Sequence, residues 1–113
     1  MQMTTRYLAC DIGAESGRLM LGTLDSGKLS LEEIHRFSNT PIQAGSSLHW
    51  DIPQLFLELK AGLVKAAQWK LPFTGFGCDT WGVDYLLFDE RGEWMPPAFH
   101  YRDPRAQRGV EAA

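Results

Sequence analysis

The sequence predicts an α/β fold that opens as an antiparallel β-meander, passes through one amphipathic helix and returns to strands. Three observations carry this. Short apolar runs in the first third are separated by glycine-containing polar turns. The apolar spacing switches to a helical period after Asp51. Strand-like runs resume after Leu71-Pro72, where proline ends the helix.

The first strand is expected over about Tyr7 to Ile12 and the second over about Arg18 to Leu24. A turn at Asp25-Ser26-Gly27-Lys28 leads into a third strand, Leu29 to Phe37. Its alternation is broken by Glu32-Glu33, which an edge position tolerates. Asn39 to His49 reads as a loop rich in turn formers. Asp51 is the expected N-cap of the helix, with Gln54 completing a capping box and Trp50 and Leu55 spaced as a hydrophobic staple. Ile52, Leu55, Phe56, Leu59, Leu63 and Ala66 define its apolar face, and it should stop near Trp69. A fourth strand is expected over Thr74 to Asp79 and a fifth over Val83 to Phe88, joined by a corner at Thr80-Trp81-Gly82. Asp89-Glu90-Arg91-Gly92 is a turn, Pro96-Pro97 a break, and Ala98 to Arg102 an extended piece. Asp103 is then the expected cap of a last helix with Pro104 at its first position. That helix carries no exit signal before Ala113, so the chain reads as a fragment of a longer protein. Three antiparallel strands, a helix and further strands match the opening of a ribonuclease-H-like, or actin-like, fold, in which the first strand bears a carboxylate.

With 113 residues, 44% apolar and 22% charged, the chain suits one soluble domain with a real core. A formal net charge of -3 and the lack of a basic track argue against a nucleic-acid partner. Arg102, Arg105 and Arg108 read as one solvated helix face. There is no signal segment and no run long enough to span a membrane, so a cytoplasmic protein is expected. Cys10 and Cys78 lie in apolar strand-like runs and are expected to be buried, reduced thiols.

Three constellations bear on chemistry. In Asp11-Ile12-Gly13-Ala14-Glu15-Ser16-Gly17-Arg18, small residues let backbone amides approach a phosphate, Arg18 adds positive charge, and Asp11 is placed to orient a hydrated Mg²⁺. The alternative is a polar hairpin tip. In Asp79-Thr80-Trp81-Gly82-Val83-Asp84, two carboxylates flank an aromatic ring suited to the apolar face of a sugar. The alternative is that the carboxylates bond turn amides and Trp81 is core. In His100-Tyr101-Arg102-Asp103, Arg102 is a candidate partner for a strand-end carboxylate, and His100, like His49, is placed to bond ligand hydroxyls.

These strings, with Glu33-Ile34-His35-Arg36-Phe37, Trp50-Asp51 and Tyr101-Arg102-Asp103, resemble the rhamnulokinase family of FGGY carbohydrate kinases. The resemblance covers nearly the whole chain, and Asp-Thr-Trp-Gly-Val-Asp is its specific part. It implies the N-terminal portion of the first, sugar-binding, actin-like domain, with the second, ATP-binding domain absent. The implied reaction is transfer of the γ-phosphoryl group of MgATP to the 1-hydroxyl of L-rhamnulose. Ala14, Glu15, Ser16, Gly17 and Arg18 match the ATP phosphate loop, and Asp11 the carboxylate near Mg²⁺. Gly82 matches a sugar-binding position, and Asp79, Trp81 and Asp84 belong to the same motif. Glu15 stands where the family has a small polar residue and adds negative charge beside the phosphates. The resemblance puts the catalytic base and the adenine site beyond residue 113, so the fragment alone is expected to be inactive, with an exposed sheet edge prone to self-association. Two other readings share the residues: a ribonuclease-H-like nuclease with Asp11, Asp79 and Asp84 as metal ligands, and a non-catalytic actin-like nucleotide-binding module.

Overall fold

The computed structural model describes residues 3–113. Two compact units divide the chain, one comprising the residues up to Asn39 with Pro53–Thr80, the other Thr40–Ile52 with Trp81–Ala113.

The first unit is a four-stranded sheet with one helix against it. β1 (Thr4–Ile12), β2 (Ser16–Asp25) and β3 (Lys28–Ser38) form the expected meander, and β6 (Gly75–Asp79) joins β1 in parallel to give the order β3-β2-β1-β6. α1 (Ile52–Gln68) begins directly after Asp51. Alternation on β1 and β2 turns Leu8, Cys10, Leu19 and Leu21 to one face, where they pack with Ala66 of α1 and with Ile12, Ile34, Leu59, Leu71 and Phe73. β3 lies at the edge, as its charges suggest, and its broken alternation has a physical cause. Leu19 pairs with His35 and Met20 with Glu33, so Ile34 is an extra residue forming a bulge.

The buried stripe of α1 is Leu55, Gly62 and Ala66, with Leu59 packed partly behind. Phe56 and Leu63, expected on that stripe, are 59% and 37% exposed. The helix turns toward the sheet on its small residue instead: a Cβ at Gly62 would stand 3.0 Å from Leu19 Cδ2. His35 on β3 ties the sheet to the helix, with Nε2 2.6 Å from Glu58 and Nδ1 2.7 Å from Lys65. Cys10 is buried as expected, but Cys78 is exposed because β6 is an edge strand with only β1 beside it.

The second unit is built of short pieces. The expected loop at Asn39–His49 contains a hairpin, β4 (Ile42–Ala44) against β5 (Ser47–His49), turning through Gly45-Ser46 with Gly45 at φ 61. A two-residue Gly-Ser connection is a recognised hairpin turn, because glycine adopts the positive φ that matches strand twist. The expected strand Val83–Phe88 shrinks to β7 (Leu87–Phe88), paired with β8 (Trp94–Met95). Among the described residues the upstream half of that apolar run pairs with no strand, and Val83 and Tyr85 stand 68% and 71% exposed. Asp89 closes the β7–β8 turn, its carboxylate accepting from the Arg91 and Glu93 amides. The piece after cis Pro96-Pro97 lies along β5, with Trp50 N–H donating to Ala98 O and His100 N–H to Leu48 O. α2 (Arg105–Ala112) starts one residue later than expected, with Pro104 as its cap position rather than its first helical residue. Arg102 forms no ion pair among the described residues; its guanidinium lies over the Tyr101 ring, and Arg105 lies over Phe99.

Candidate active site

The first unit holds the strand-end turn. Ile12 pairs with Gly17 and Asp11 with Arg18, so Gly13, Ala14 and Glu15 cross between β1 and β2, closed by a Gly13 N–H to Ser16 O bond of 2.8 Å. Asn39, at the end of β3 and 3% exposed, braces this turn from behind. Its amide N–H donates to Glu15 O at 2.9 Å and its side chain to Gly13 O at 2.8 Å. Both carbonyls are thus held inward, while among the described residues the Ala14 and Glu15 amides donate to no protein acceptor. Amides left free on a fixed turn are what an anion needs. Sequence reasoning missed Asn39, whose partners lie far away along the chain.

Gly17 is fixed by packing. A Cβ there would stand 2.2 Å from Phe37 Cζ. Gly17→Ala should therefore destabilise the first unit by about 1–3 kcal/mol. Adding Phe37→Leu should restore part of the loss in urea titrations; an alanine variant that unfolds with the parent would show that the ring yields freely.

Arg18 and Asp11, expected on phosphate and metal, face each other across the strands. Arg18 Nε and Nη2 lie 3.3 and 3.2 Å from Asp11 Oδ2. Both side chains are about half exposed, so the pair holds by under about 1 kcal/mol and is readily exchanged for a ligand. Beside it, β1 and β6 run parallel and bring Asp11 opposite Asp79. Two carboxylates at adjoining strand ends, open to water, suit Mg²⁺, which takes one or two carboxylates and keeps several waters. No cluster of three or more His, Cys, Asp or Glu exists among the described residues. Burial is the largest cause pushing the Cys10 thiol, one residue below Asp11, up to about 12, and the neighbouring Cys78 adds to it.

The second unit holds an aromatic stack. Trp50, 3% exposed, lies between Trp81 (ring centroids 4.0 Å apart) and His100 (3.9 Å), and Tyr101 continues the stack at 4.6 Å from His100. Asp84 pins it: Oδ2 accepts from Trp50 Nε1–H and, at 3.1 Å, from the Tyr101 amide. Asp103 pins the other side, accepting from the Leu48 amide through Oδ2 and from the Arg105 amide through Oδ1 at 2.8 Å. Asp103, expected as the cap itself, stands one residue before the cap position and bonds the first amide of α2 from there. A cavity of about 390 Å³ opens beside the stack, with Asp84, Tyr85, Phe99, His100 and Tyr101 in its wall. Trp81 and Gly82 are not in that wall; Gly82 is exposed, and Asp79 belongs to the sheet of the first unit.

His100 is 2% exposed. Its Nδ1 accepts the Arg102 amide at 2.9 Å, which puts the proton of the neutral ring on Nε2, a buried atom with no protein partner. Burial, the largest cause, pushes its pKa below the ordinary 6.5, with Asp84 pulling the other way. The Leu48 amide, then that of Arg105, holds the Asp103 carboxyl below 3.8. The signs agree. Below pH 6.5 the unfolded imidazole takes up a proton before the folded one, so stability falls toward the folded value. Below pH 3.8 the Asp103 contribution is lost as pH falls through its lowered value. Acid titration followed by tryptophan fluorescence should show both limbs, and His100→Gln should remove the upper one; a flat profile between pH 7 and 5 would contradict this.

No family model matches the chain. It is 42% identical to the rhamnulokinase of Bacillus subtilis (strain 168) over 105 residues, covering 93% of this chain and 22% of that protein. It is 44% identical to the rhamnulokinase of Enterococcus faecalis, covering 92% and 21%, and 39% identical to that of Bacteroides thetaiotaomicron, covering 97% and 23%. The chain thus spans about a fifth of the length of these relatives. Among solved structures, a gluconate kinase from Lactobacillus acidophilus superposes with a TM-score of 0.77 at 14% identity, covering 98% of this chain and 22% of that one. A ligand-bound xylulose kinase from the same organism gives 0.75 at 15% identity, covering 96% and 22%. The fold is thus the α/β segment found in these two sugar kinases. In sequence the chain is similar to the rhamnulokinases over more than nine-tenths of its own length. Among the described residues, no helix is long and apolar enough to cross a membrane.

Proposed function

We propose that this chain forms part of a cytoplasmic kinase that transfers the γ-phosphoryl group of MgATP to the 1-hydroxyl of L-rhamnulose. The observation that carries the reading is the register of Asp11 opposite Asp79 at the ends of two parallel strands. Asp11 belongs to the phosphate turn and Asp79 opens the sugar motif, and phosphoryl transfer requires those two functions side by side. Ligands of open α/β sheets bind beyond the carboxyl ends of the strands, which is where both residues stand.

On the phosphate side, the Ala14 and Glu15 amides, Ser16 and Arg18 bind phosphate oxygens, Gly17 keeps the turn close to Phe37, and Asp11 holds Mg²⁺ through water. Bound there, the ion neutralises phosphate charge. Arg18 releases Asp11 when it turns to phosphate, so one side chain serves both states. On the sugar side, Asp79, Trp81 and Gly82 take part through their shared motif. Asp84 works mainly by holding Trp50 and Tyr101, and the His100 Nε2–H donates to a hydroxyl. The catalytic base lies outside these 113 residues, so the chain alone releases no ADP.

The test is a chimera in which this chain replaces the matching segment of the Bacillus subtilis rhamnulokinase. With MgATP and L-rhamnulose it should release ADP, and faster than with L-xylulose or gluconate. A chimera that is folded by circular dichroism and melts near the parent, yet turns over none of the three, would sink the reading. Turnover by the 113-residue chain alone would refute its predicted inactivity.

A further inference from the structure

Cys10 and Cys78 are exact register partners in the parallel β1–β6 pair, and both are free thiols. Residues opposite each other on neighbouring strands turn their side chains to the same face, and strand spacing of about 4.8 Å lies within the Cα separations that a disulfide spans. The accessibility of the two thiols is opposite, Cys10 being 1% exposed in the core and Cys78 open at the sheet edge. A reagent from solution reaches Cys78 and not Cys10.

We propose that Cys10 and Cys78 form an oxidative modification site, in which the Cys78 sulfur attacks hydrogen peroxide and the buried Cys10 closes a disulfide. In the first step the Cys78 sulfur takes the terminal oxygen of the peroxide, the O–O bond breaks and water leaves, giving the sulfenic acid. In the second, the Cys10 sulfur displaces that hydroxyl, the S–S bond forms and a second water leaves. The two thiols together give up two electrons, and one hydrogen peroxide is reduced to two waters. The bond would clamp β6 to β1 one residue before Asp79 and Asp11. The proposal is independent of the kinase reading, because it uses only the sheet.

The experiment treats the protein with a small excess of hydrogen peroxide in the presence and absence of dimedone, a trap for sulfenic acids. Without dimedone the intact mass should fall by two hydrogens and recover with dithiothreitol, and digestion should yield one peptide pair joined through Cys10 and Cys78. With dimedone, Cys10→Val, which keeps an apolar side chain in the core, should carry roughly tenfold more adduct at Cys78 than the parent, because its sulfenic acid has no thiol to meet. Cys78→Ser, changed only at the exposed position, should show no loss of mass. Equal adduct in the parent and in Cys10→Val, or parent protein that gains oxygen at Cys78 while Cys10 stays free, would overturn the proposal.

Discussion

Asp84→Ala is expected to lower the stability of the second unit by about 2–4 kcal/mol. One carboxylate oxygen accepts both the Trp50 indole N–H and the Tyr101 amide. Removing it strands a donor on a ring that is 3% exposed. A buried donor without an acceptor costs about 1–3 kcal/mol, and here two donors lose their partner together. Asp84→Asn keeps an oxygen at the same position and should recover more than half of the loss. Urea unfolding followed through tryptophan emission reads both variants, since Trp50 and Trp81 are stacked beside the mutated residue. An alanine variant with the parent's midpoint would mean that water replaces the carboxylate at no cost, and the stack would then need another explanation. The same experiment separates two roles of the motif, because a residue that merely contacted sugar would leave the ligand-free stability unchanged.

The second large effect falls on activity. In the Bacillus subtilis chimera, Asp11→Ala should reduce kcat by roughly 10²–10³-fold, the scale at which one charged or polar group acts on a transition state. Its stability should change by less than about 1 kcal/mol, because the Arg18–Asp11 pair is exposed. Raising Mg²⁺ should recover part of the loss if the carboxylate serves the metal. Arg18→Ala should raise KM for ATP more than it lowers kcat, since its charge is assigned to ground-state phosphate. An Asp11→Ala chimera with the parent's kcat would remove Asp11 from the site and leave it as a partner for Arg18 alone.

Local signals accounted for the parts of the molecule that close locally. The Asp11–Arg18 pairing follows from a tight turn between two apolar strands, and the turn at Asp89–Gly92 follows from its residues. α1 was legible from Asp51 and the spacing of Leu55, Leu59 and Ala66, although Gly62 carries no apolar signal and shifted the buried stripe away from Phe56 and Leu63. The Gly45-Ser46 hairpin was present in the sequence as a turn signal and was hidden by the polar residues around it. What the sequence withheld depends on contacts between distant segments. Asn39 braces Gly13 and Glu15 through main-chain carbonyls, and no residue pattern announces such a bond. Asp84 reads as a sugar-side residue because its neighbours are Trp81 and Gly82; what no local pattern shows is that its Oδ2 also accepts from the distant Trp50 and Tyr101. Val83 to Phe88 read as a strand because it is apolar, but pairing needs a second strand, and Trp94–Met95 supplies only two residues.

The two edges of the main sheet are unequally guarded. β3 carries Lys28, Glu32, Glu33 and Arg36 and is kinked by the bulge at Ile34, and both features obstruct a neighbouring strand. β6 reads Gly-Phe-Gly-Cys-Asp, with its only charge at the last residue and Phe76 half exposed. Growth of this sheet by docking of another strand is therefore directional: it proceeds from β6 and stops at β3. For the chain handled by itself, a charged residue introduced at Gly77, where a new side chain meets no atom within 4 Å, would be the economical way to keep solutions monomeric.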